Sequence, residues 1–477
     1  MEKIEAMKEI NVDVAVLGAG TAGLAAYRAA VAAGSRAVVI EGGRYGTTCA
    51  RVGCMPSKLL IAAAEAAHGV ERWEEFGLLL EGTVGVDGRA VMARVKRERD
   101  RFVGFVLDGV ERIPAADSLR GHARFESDHS LTVDGHTRVR FGRAVIATGS
   151  RPSVPPFLRG AGDRLLVNDD IFDWDDLPHA VAVFGPGVIG LELGQALARL
   201  GVRVLMFGKG GFVGPFSDPA VRNYARDTFR REFWLDPDAD VRGIEGTPDG
   251  VAVRFVDRGE ERVETVEFVV AATGRAPNVD NIGLENTTVA RDARGLPLFD
   301  RATLQCGASP IFIAGDANND LPLLHEAADE GRIAGENAGR FPDVRPGHRR
   351  APLAVVFSDP QLAVVATRFA DLPAGGVVTG EVSFEDQGRS RVMLRNRGLL
   401  HVYADARSGA FLGAEMIGPD AEHLAHLLAW ARQLELTVPQ MLALPFYHPV
   451  VEEGLRTALR DAAAKLGDLR PDIRRAA

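Results

Sequence analysis

The chain has 477 residues, a formal net charge of −9, 46% hydrophobic and 25% charged residues, 53 glycines and 3 cysteines. These fractions exclude a globally disordered chain, and the acidic balance argues against a nucleic-acid-binding surface or a polybasic membrane patch. So few cysteines exclude a disulfide-stapled secreted scaffold. The N-terminal MEKIEAMKEI has no apolar stretch of the signal-peptide kind, and no apolar run reaches the ~18 residues of a spanning helix. The expectation is a cytoplasmic protein of about three domains, with neither nucleic acid nor membrane as partner.

The first chemical signal opens at Val12. An apolar run leads into Gly18, Gly20 and Gly23, an Ala-rich stretch follows to Gly34, and a second apolar run, Ala37 to Ile40, ends in Glu41. This is the G-x-G-x-x-G pattern in its required context of strand, turn, helix, strand and acid. The glycines allow a tight turn, close backbone approach to a pyrophosphate, and packing of helix on strand. The pyrophosphate then lies at a helix N-terminus, where free N–H groups favour anions. Glu41, 23 residues after Gly18, is placed to accept hydrogen bonds from a ribose diol.

The pattern returns at Gly185, Gly187 and Gly190, after the apolar run Ala180 to Phe184. Gly201 follows Gly185 at the distance that separates Gly34 from Gly18, and Val202 to Phe207 is the second strand. Two copies with matching internal spacing imply two bound dinucleotides and electron transfer between them. The position equivalent to Glu41 is Gly208, followed by Lys209. Loss of the acid removes the repulsion that a 2′-phosphate would meet, so NAD and NADP both remain open.

Between these units lies Thr47 to Lys58, TTCARVGCMPSK, with Cys49 and Cys54 five residues apart. Zinc is disfavoured, because no second Cys/His pair has matching spacing, so no metal site is expected. A structural disulfide closing so short a loop would contribute only about 2 kcal/mol. A redox-active pair next to a dinucleotide unit fits better. Cys306 reads as a small core or loop residue. Further along, Arg94 to Phe102 is a charge run that reads as a solvated helix face, and Pro342 to Pro352 reads as a Pro/Arg-rich hinge.

TTCARVGCMPSK resembles the redox motif of the class I pyridine nucleotide-disulfide oxidoreductases, usually GTC(L/V)NVGC(I/V)PSK. Its PSK ending is closer to dihydrolipoyl dehydrogenase than to glutathione reductase. Other stretches resemble the same family: ATGSRP from Ala147, ATGRAPN from Ala272, FIAGD ending at Asp316, HEAADEG from His325, and FYHPVVEE from Phe446. The resemblance implies an α/β fold with two Rossmann-like FAD- and NAD(P)-binding domains and a C-terminal α/β dimerisation domain. It places the FAD-binding domain at 1–150, the NAD(P)-binding domain at 151–275, a return to the flavin domain at 276–347, and the interface domain at 348–477.

The resemblance also implies residue roles. Cys49 performs interchange with substrate and Cys54 contacts the flavin. His448 is the base and Glu453 orients it. Lys58 stabilises reduced flavin and pairs with Glu192. Thr48, Thr148, Gly149, Gly315 and Asp316 lie along the flavin, and Gly274, Arg275 and Lys209 belong with the nucleotide side. A homodimer is implied in which His448 completes the partner's site, with a lipoyl-bearing protein or a small disulfide as substrate. Tyr447 and Val450 depart from the family's smaller residue and Thr, which bears on the substrate mouth. Alternatives are an NADPH-dependent disulfide reductase of glutathione-reductase type and a flavin transhydrogenase. A mercuric reductase is disfavoured because the C-terminal LRPDIRRAA carries no cysteine pair.

Overall fold

The computed structural model describes residues 7–467. The first six residues and the C-terminal LRPDIRRAA, on which two of the expectations above bear, lie outside the described residues. The chain divides into two compact units, each discontinuous in sequence. One takes the residues up to Pro56, then Lys96–Ser153 and Arg275–Arg349; the other takes Ser57–Val95, Val154–Gly274 and the residues from Arg350 onward.

The first unit is built on a parallel sheet. Ser118–Arg120, Ala37–Glu41, Lys8–Leu17, Thr137–Ile146 and Ile311–Ile313 lie side by side in that order. The antiparallel hairpin Ala123–Ser127 and Ser130–Val133 extends it. Val14, Val16, Val39 and Val145 are fully buried on one face and Ala15, Val38, Ala144 and Ile146 on the other. Burial on both faces is why these strands read as unbroken apolar runs instead of alternating ones. Helices Thr21–Ala32 and Leu324–Arg340 cover one face through Ala and Gly, so their backbones come close: a Cβ on Gly331 or Gly335 would stand 2.2 Å from the carbonyl oxygen of Ala22 or Ala26.

The second unit repeats the plan. Trp234–Asp236, Arg203–Phe207, Ala180–Phe184, Phe268–Ala271 and Leu165–Val167 form a parallel sheet in that order. A three-stranded antiparallel sheet, Asp240–Thr247, Gly250–Asp257 and Glu260–Val266, is attached. The remainder is an antiparallel five-stranded sheet in the order Leu353–Val356, Gln361–Ala366, Phe411–Gly418, Leu399–Asp405, Val377–Ser383. Helices Ala421–Gln433 and Glu452–Leu466 share its core. The charge run lies in the 24-residue helix Gly88–Glu111, where Val95 is buried and Arg97 and Arg101 face outward. Among the described residues no helix is long and apolar enough to cross a membrane.

Buried polar groups tie the second unit together. Glu415, fully buried, accepts from the backbone N–H groups of Ser217, Asp218 and Phe369, each at 2.9 Å. Asp218 caps helix Pro219–Phe229 by accepting from Ala220 N–H at 2.8 Å, while its other oxygen lies 2.7 Å from His401 Nδ1 and 3.0 Å from the Tyr403 hydroxyl. Burial pushes the Asp218 carboxyl upward, but the His401 hydrogen bond and charge, the capping N–H and Tyr403 outweigh it and leave it below the ordinary carboxylate value. Because the folded state favours the carboxylate, this stabilisation is present above the unfolded pKa of about 3.9 and is lost as pH falls through the lower folded value. Asp218→Asn should therefore lower Tm at neutral pH, and the gap from wild type should narrow in thermal melts taken below about pH 4.

Candidate active site

Ligands of an open parallel sheet sit beyond the carboxyl ends of its strands, where the strand order reverses. In the first unit every strand end in that position carries a residue singled out above. Leu17 runs into Gly18, Ile40 into Glu41, Ile146 into Ala147, Thr148 and Gly149, and Ile313 into Ala314, Gly315 and Asp316. Gly18 has φ +104°, and a Cβ there would stand 2.3 Å from the carbonyl oxygen of Ala147; one on Gly23 would stand 1.9 Å from that of Gly18. No side chain fits at either position, so strand, turn and helix pack backbone to backbone. A Cβ on Gly20 would meet no heavy atom within 4 Å, so the turn opens outward at the N-terminus of Thr21–Ala32.

Glu41 folds back on this turn. One carboxylate oxygen accepts from Ala19 N–H and the other from Gly43 N–H, both at 2.7 Å. Asp316 accepts from Ser150 Oγ at 2.7 Å, and Arg275 holds Ser150 by donating to its Oγ and carbonyl, each at 2.8 Å. Arg275 is thus engaged in the short antiparallel pair Ser150–Pro152 and Arg275–Pro277. Glu330, fully buried, accepts from Gly315 N–H and Asn318 Nδ2 at 2.7 Å and lies 2.9 Å from Arg349. Burial pushes its carboxyl above the ordinary range against the pull of Arg349. Thr148 Oγ1 is buried with no hydrogen-bond partner among the described residues. An orphaned hydroxyl beside an open glycine turn and a ribose-type acid is a cradle suited to a dinucleotide.

Cys49 lies in the short helix Thr48–Val52, capped by Thr47, whose Oγ1 accepts from Ala50 N–H at 3.3 Å. Cys54 is exposed, Cys49 half-buried and Cys306 buried. Cys54 opens helix Cys54–Glu71, which carries Lys58 one turn later.

In the second unit the glycine turn is reproduced. Gly185 has φ +108°; Cβ atoms on Gly185 and Gly190 would stand 2.3 Å and 1.9 Å from the carbonyl oxygens of Ala272 and Gly185, and Gly187 is as open as Gly20. Thr273 and Gly274 follow the strand end at Ala271, as Thr148 and Gly149 follow Ile146. Lys58 Nζ lies 2.9 and 2.8 Å from the two carboxylate oxygens of Glu192, which is buried on helix Val188–Arg199. The Phe357 N–H donates to the same carboxylate at 2.9 Å, and Lys58 Nζ stands 4.5 Å from the centre of the Phe357 ring. Lys209 is 88% exposed and 3.6 Å from Asp238.

His448 Nδ1 is 2.9 Å from Glu453, and the imidazole is 80% exposed, which leaves Nε2 facing outward. Arg456 donates to the other oxygen of Glu453 at 2.7 Å. A carboxylate fixes the tautomer of the ring, so Nε2 can take up a proton. Arg456, Phe357, Ser150 and Glu330 escaped the sequence reading. Ser150 and Glu330 lie within the quoted stretches ATGSRP and HEAADEG, and Arg456 had a signal in its i+3 spacing from Glu453 on one helix face.

Residues 12–331 match the family described as pyridine nucleotide-disulphide oxidoreductase, and residues 353–459 match that family's dimerisation domain. The chain belongs to this family. It is 31% identical to a mercuric reductase of Shigella flexneri over 457 residues, 93% of this chain and 80% of that protein. It is 29% identical to a dihydrolipoyl dehydrogenase of Haloferax volcanii over 472 residues, 94% and 96% of the two chains. The HOCl-induced flavoprotein disulfide reductase RclA of Escherichia coli shares the fold with a TM-score of 0.80 at 21% identity, covering 94% of this chain and 99% of that one. The family works with FAD and NAD(P), and the two glycine turns carry the features such cofactors need. The mercuric reductase and dihydrolipoyl dehydrogenase relatives leave the substrate open within the family.

Cys306 differs from the other thiols in more than position. Burial pushes it up to about 12, so it stays protonated and unreactive near neutral pH. After reduction, iodoacetamide applied to the folded protein at about pH 8, near the ordinary thiol pKa, should label Cys49 and Cys54. Peptide mass spectrometry should find label on Cys306 only after denaturation.

Proposed function

We propose that the chain is a dithiol–disulfide oxidoreductase of the dihydrolipoyl dehydrogenase type, moving electrons between a dihydrolipoyl group and NAD(P) through Cys49 and Cys54. The observation that carries this reading is the His448–Glu453 pair at 2.9 Å with an exposed imidazole, a base built for thiol protons. In the forward direction a substrate thiolate attacks Sγ of Cys49 in the oxidised pair. A mixed disulfide forms and Cys54 leaves as thiolate. His448 takes the proton of the second substrate thiol, whose sulfur then displaces Cys49 and closes the substrate disulfide. Glu453 holds the imidazole and stabilises its cation, and Arg456 holds Glu453. Bound FAD supplies the two-electron passage between the sulfur pair and nicotinamide.

Gly18, Gly20, Gly23, Glu41, Thr48, Thr148, Gly149, Gly315 and Asp316 would hold the flavin, and Gly185, Gly187, Gly190 and Gly274 the pyridine nucleotide. Lys58, held by Glu192, would supply positive charge to the reduced flavin. In domain terms the flavin part is 1–150 with 276–347, the nucleotide part 151–275 and the interface part 348–477. The match to the dimerisation domain supports a homodimer, and the family resemblance has His448 of one copy serve the cysteine pair of the other.

The test is steady-state kcat/KM for dihydrolipoamide, glutathione disulfide, Hg(II) and no thiol. Dihydrolipoamide should give the highest value. His448→Ala should lower it by about 10²–10⁴-fold, the usual share of a general base. Activity with dihydrolipoamide no greater than that of Cys49→Ser rejects the substrate, and a higher value with Hg(II) moves the reading to metal-ion reduction.

A further inference from the structure

The two glycine turns differ where the ribose of each dinucleotide is read. In the first, Glu41 at the end of its strand is anchored to the turn by the N–H of Ala19. In the second, the residue between the glycines is Pro186, which has no N–H to offer. An acid at 208 would find no such anchor, and it would find no room: a Cβ on Gly208 would stand 2.5 Å from the carbonyl oxygen of Pro237.

Pro237 belongs to the neighbouring strand's exit, and that exit is zipped onto the loop after Gly208. Gly208 N–H donates to Asp236 O at 2.7 Å, Ala239 N–H to Gly208 O at 3.1 Å, and Gly211 N–H to Pro237 O at 3.0 Å. Asp238 sits in this exit. Its Oδ1 accepts from Gly210 N–H at 2.8 Å and lies 3.6 Å from Lys209 Nζ, and its side chain is 59% exposed. An acid therefore stands beside the carboxyl end of Arg203–Phe207, the place where the first turn has Glu41. It arrives from the adjacent strand.

We propose that Asp238 is the specificity-determining residue of the second dinucleotide site, accepting the 2′-hydroxyl of NAD(H) and repelling the 2′-phosphate of NADP(H). The assignment rests on the reading that this glycine turn holds a pyridine nucleotide. Asp238 also neutralises Lys209, the cation that would otherwise attract a 2′-phosphate. Oδ1 stays with the Gly210 N–H and Oδ2 would accept from the ribose; in the first site both oxygens of Glu41 accept from backbone N–H groups, those of Ala19 and Gly43.

Dissociation constants of NADH and NADPH for the FAD-loaded protein already fully reduced with dithionite, measured by anaerobic calorimetry, test this without reliance on turnover. Wild type should bind NADH more tightly. Asp238→Asn keeps an acceptor for Gly210 and should shift the affinity ratio toward NADPH by about tenfold or more, the scale set by removing one like-charge contact. Adding Lys209→Gln to that variant should reverse much of the gain. Gly187→Ala should weaken both nucleotides alike. Tighter binding of NADPH by wild type, or an unchanged ratio in Asp238→Asn, overturns the role of Asp238 and leaves the nucleotide site standing. Binding of both nucleotides that is indifferent to Gly187→Ala overturns the site itself.

Discussion

Two contacts between backbone atoms set the terms for this molecule. At Gly18 and Gly23, and again at Gly185 and Gly190, a carbonyl oxygen occupies the space that a side chain would need. Each pair brings the first strand, the turn and the following helix closer than any other residue permits. The helix N-terminus is thereby delivered to the carboxyl edge of the sheet, with N–H groups facing outward. The helix Leu324–Arg340 packs on Thr21–Ala32 by the same device, through Gly331 and Gly335. A single Cβ at any of these points would separate the layers and shift the helix N-terminus.

Strand ends do the rest of the assembly. Thr148, Gly149, Gly315 and Asp316 come together because their strands run parallel in one sheet and finish at the same level. One buried carboxylate holds the Gly315 end, and another organises the second unit. Glu330 fixes the Gly315 turn and is held by Arg349, while Glu192 receives Lys58 and the Phe357 N–H together. Each gathers donors that are at most partly exposed, and leaving a buried donor unpaired costs more than its hydrogen bond contributes.

The parts legible in the sequence are those fixed by local pattern. Valine-rich runs leading into glycines gave the strands and turns, because burial on both faces leaves no alternation to misread. Cys49 and Cys54 stood out through their spacing beside a dinucleotide unit, and His448 and Glu453 through the resemblance of FYHPVVEE to the family's C-terminal stretch. What could not be read is what depends on distant segments. Phe357 reaches Glu192 by a backbone N–H, and a backbone donor leaves no mark in a sequence. Ser150 joins Arg275 to Asp316 only because two short strands pair there. Lys209 follows the position equivalent to Glu41, and only the parallel strand pairing reveals that Asp238 is brought alongside it.

The pairing of Ser150–Pro152 with Arg275–Pro277 has an evolutionary side. The long excursion between these strands leaves and re-enters the first unit through one narrow stem whose two arms are already hydrogen-bonded. The entropy of closing a loop rises only logarithmically with its length. Residues can therefore be gained or lost between the arms at little cost to the host sheet. Such a stem lets an inserted segment drift in size and sequence while the host keeps its register.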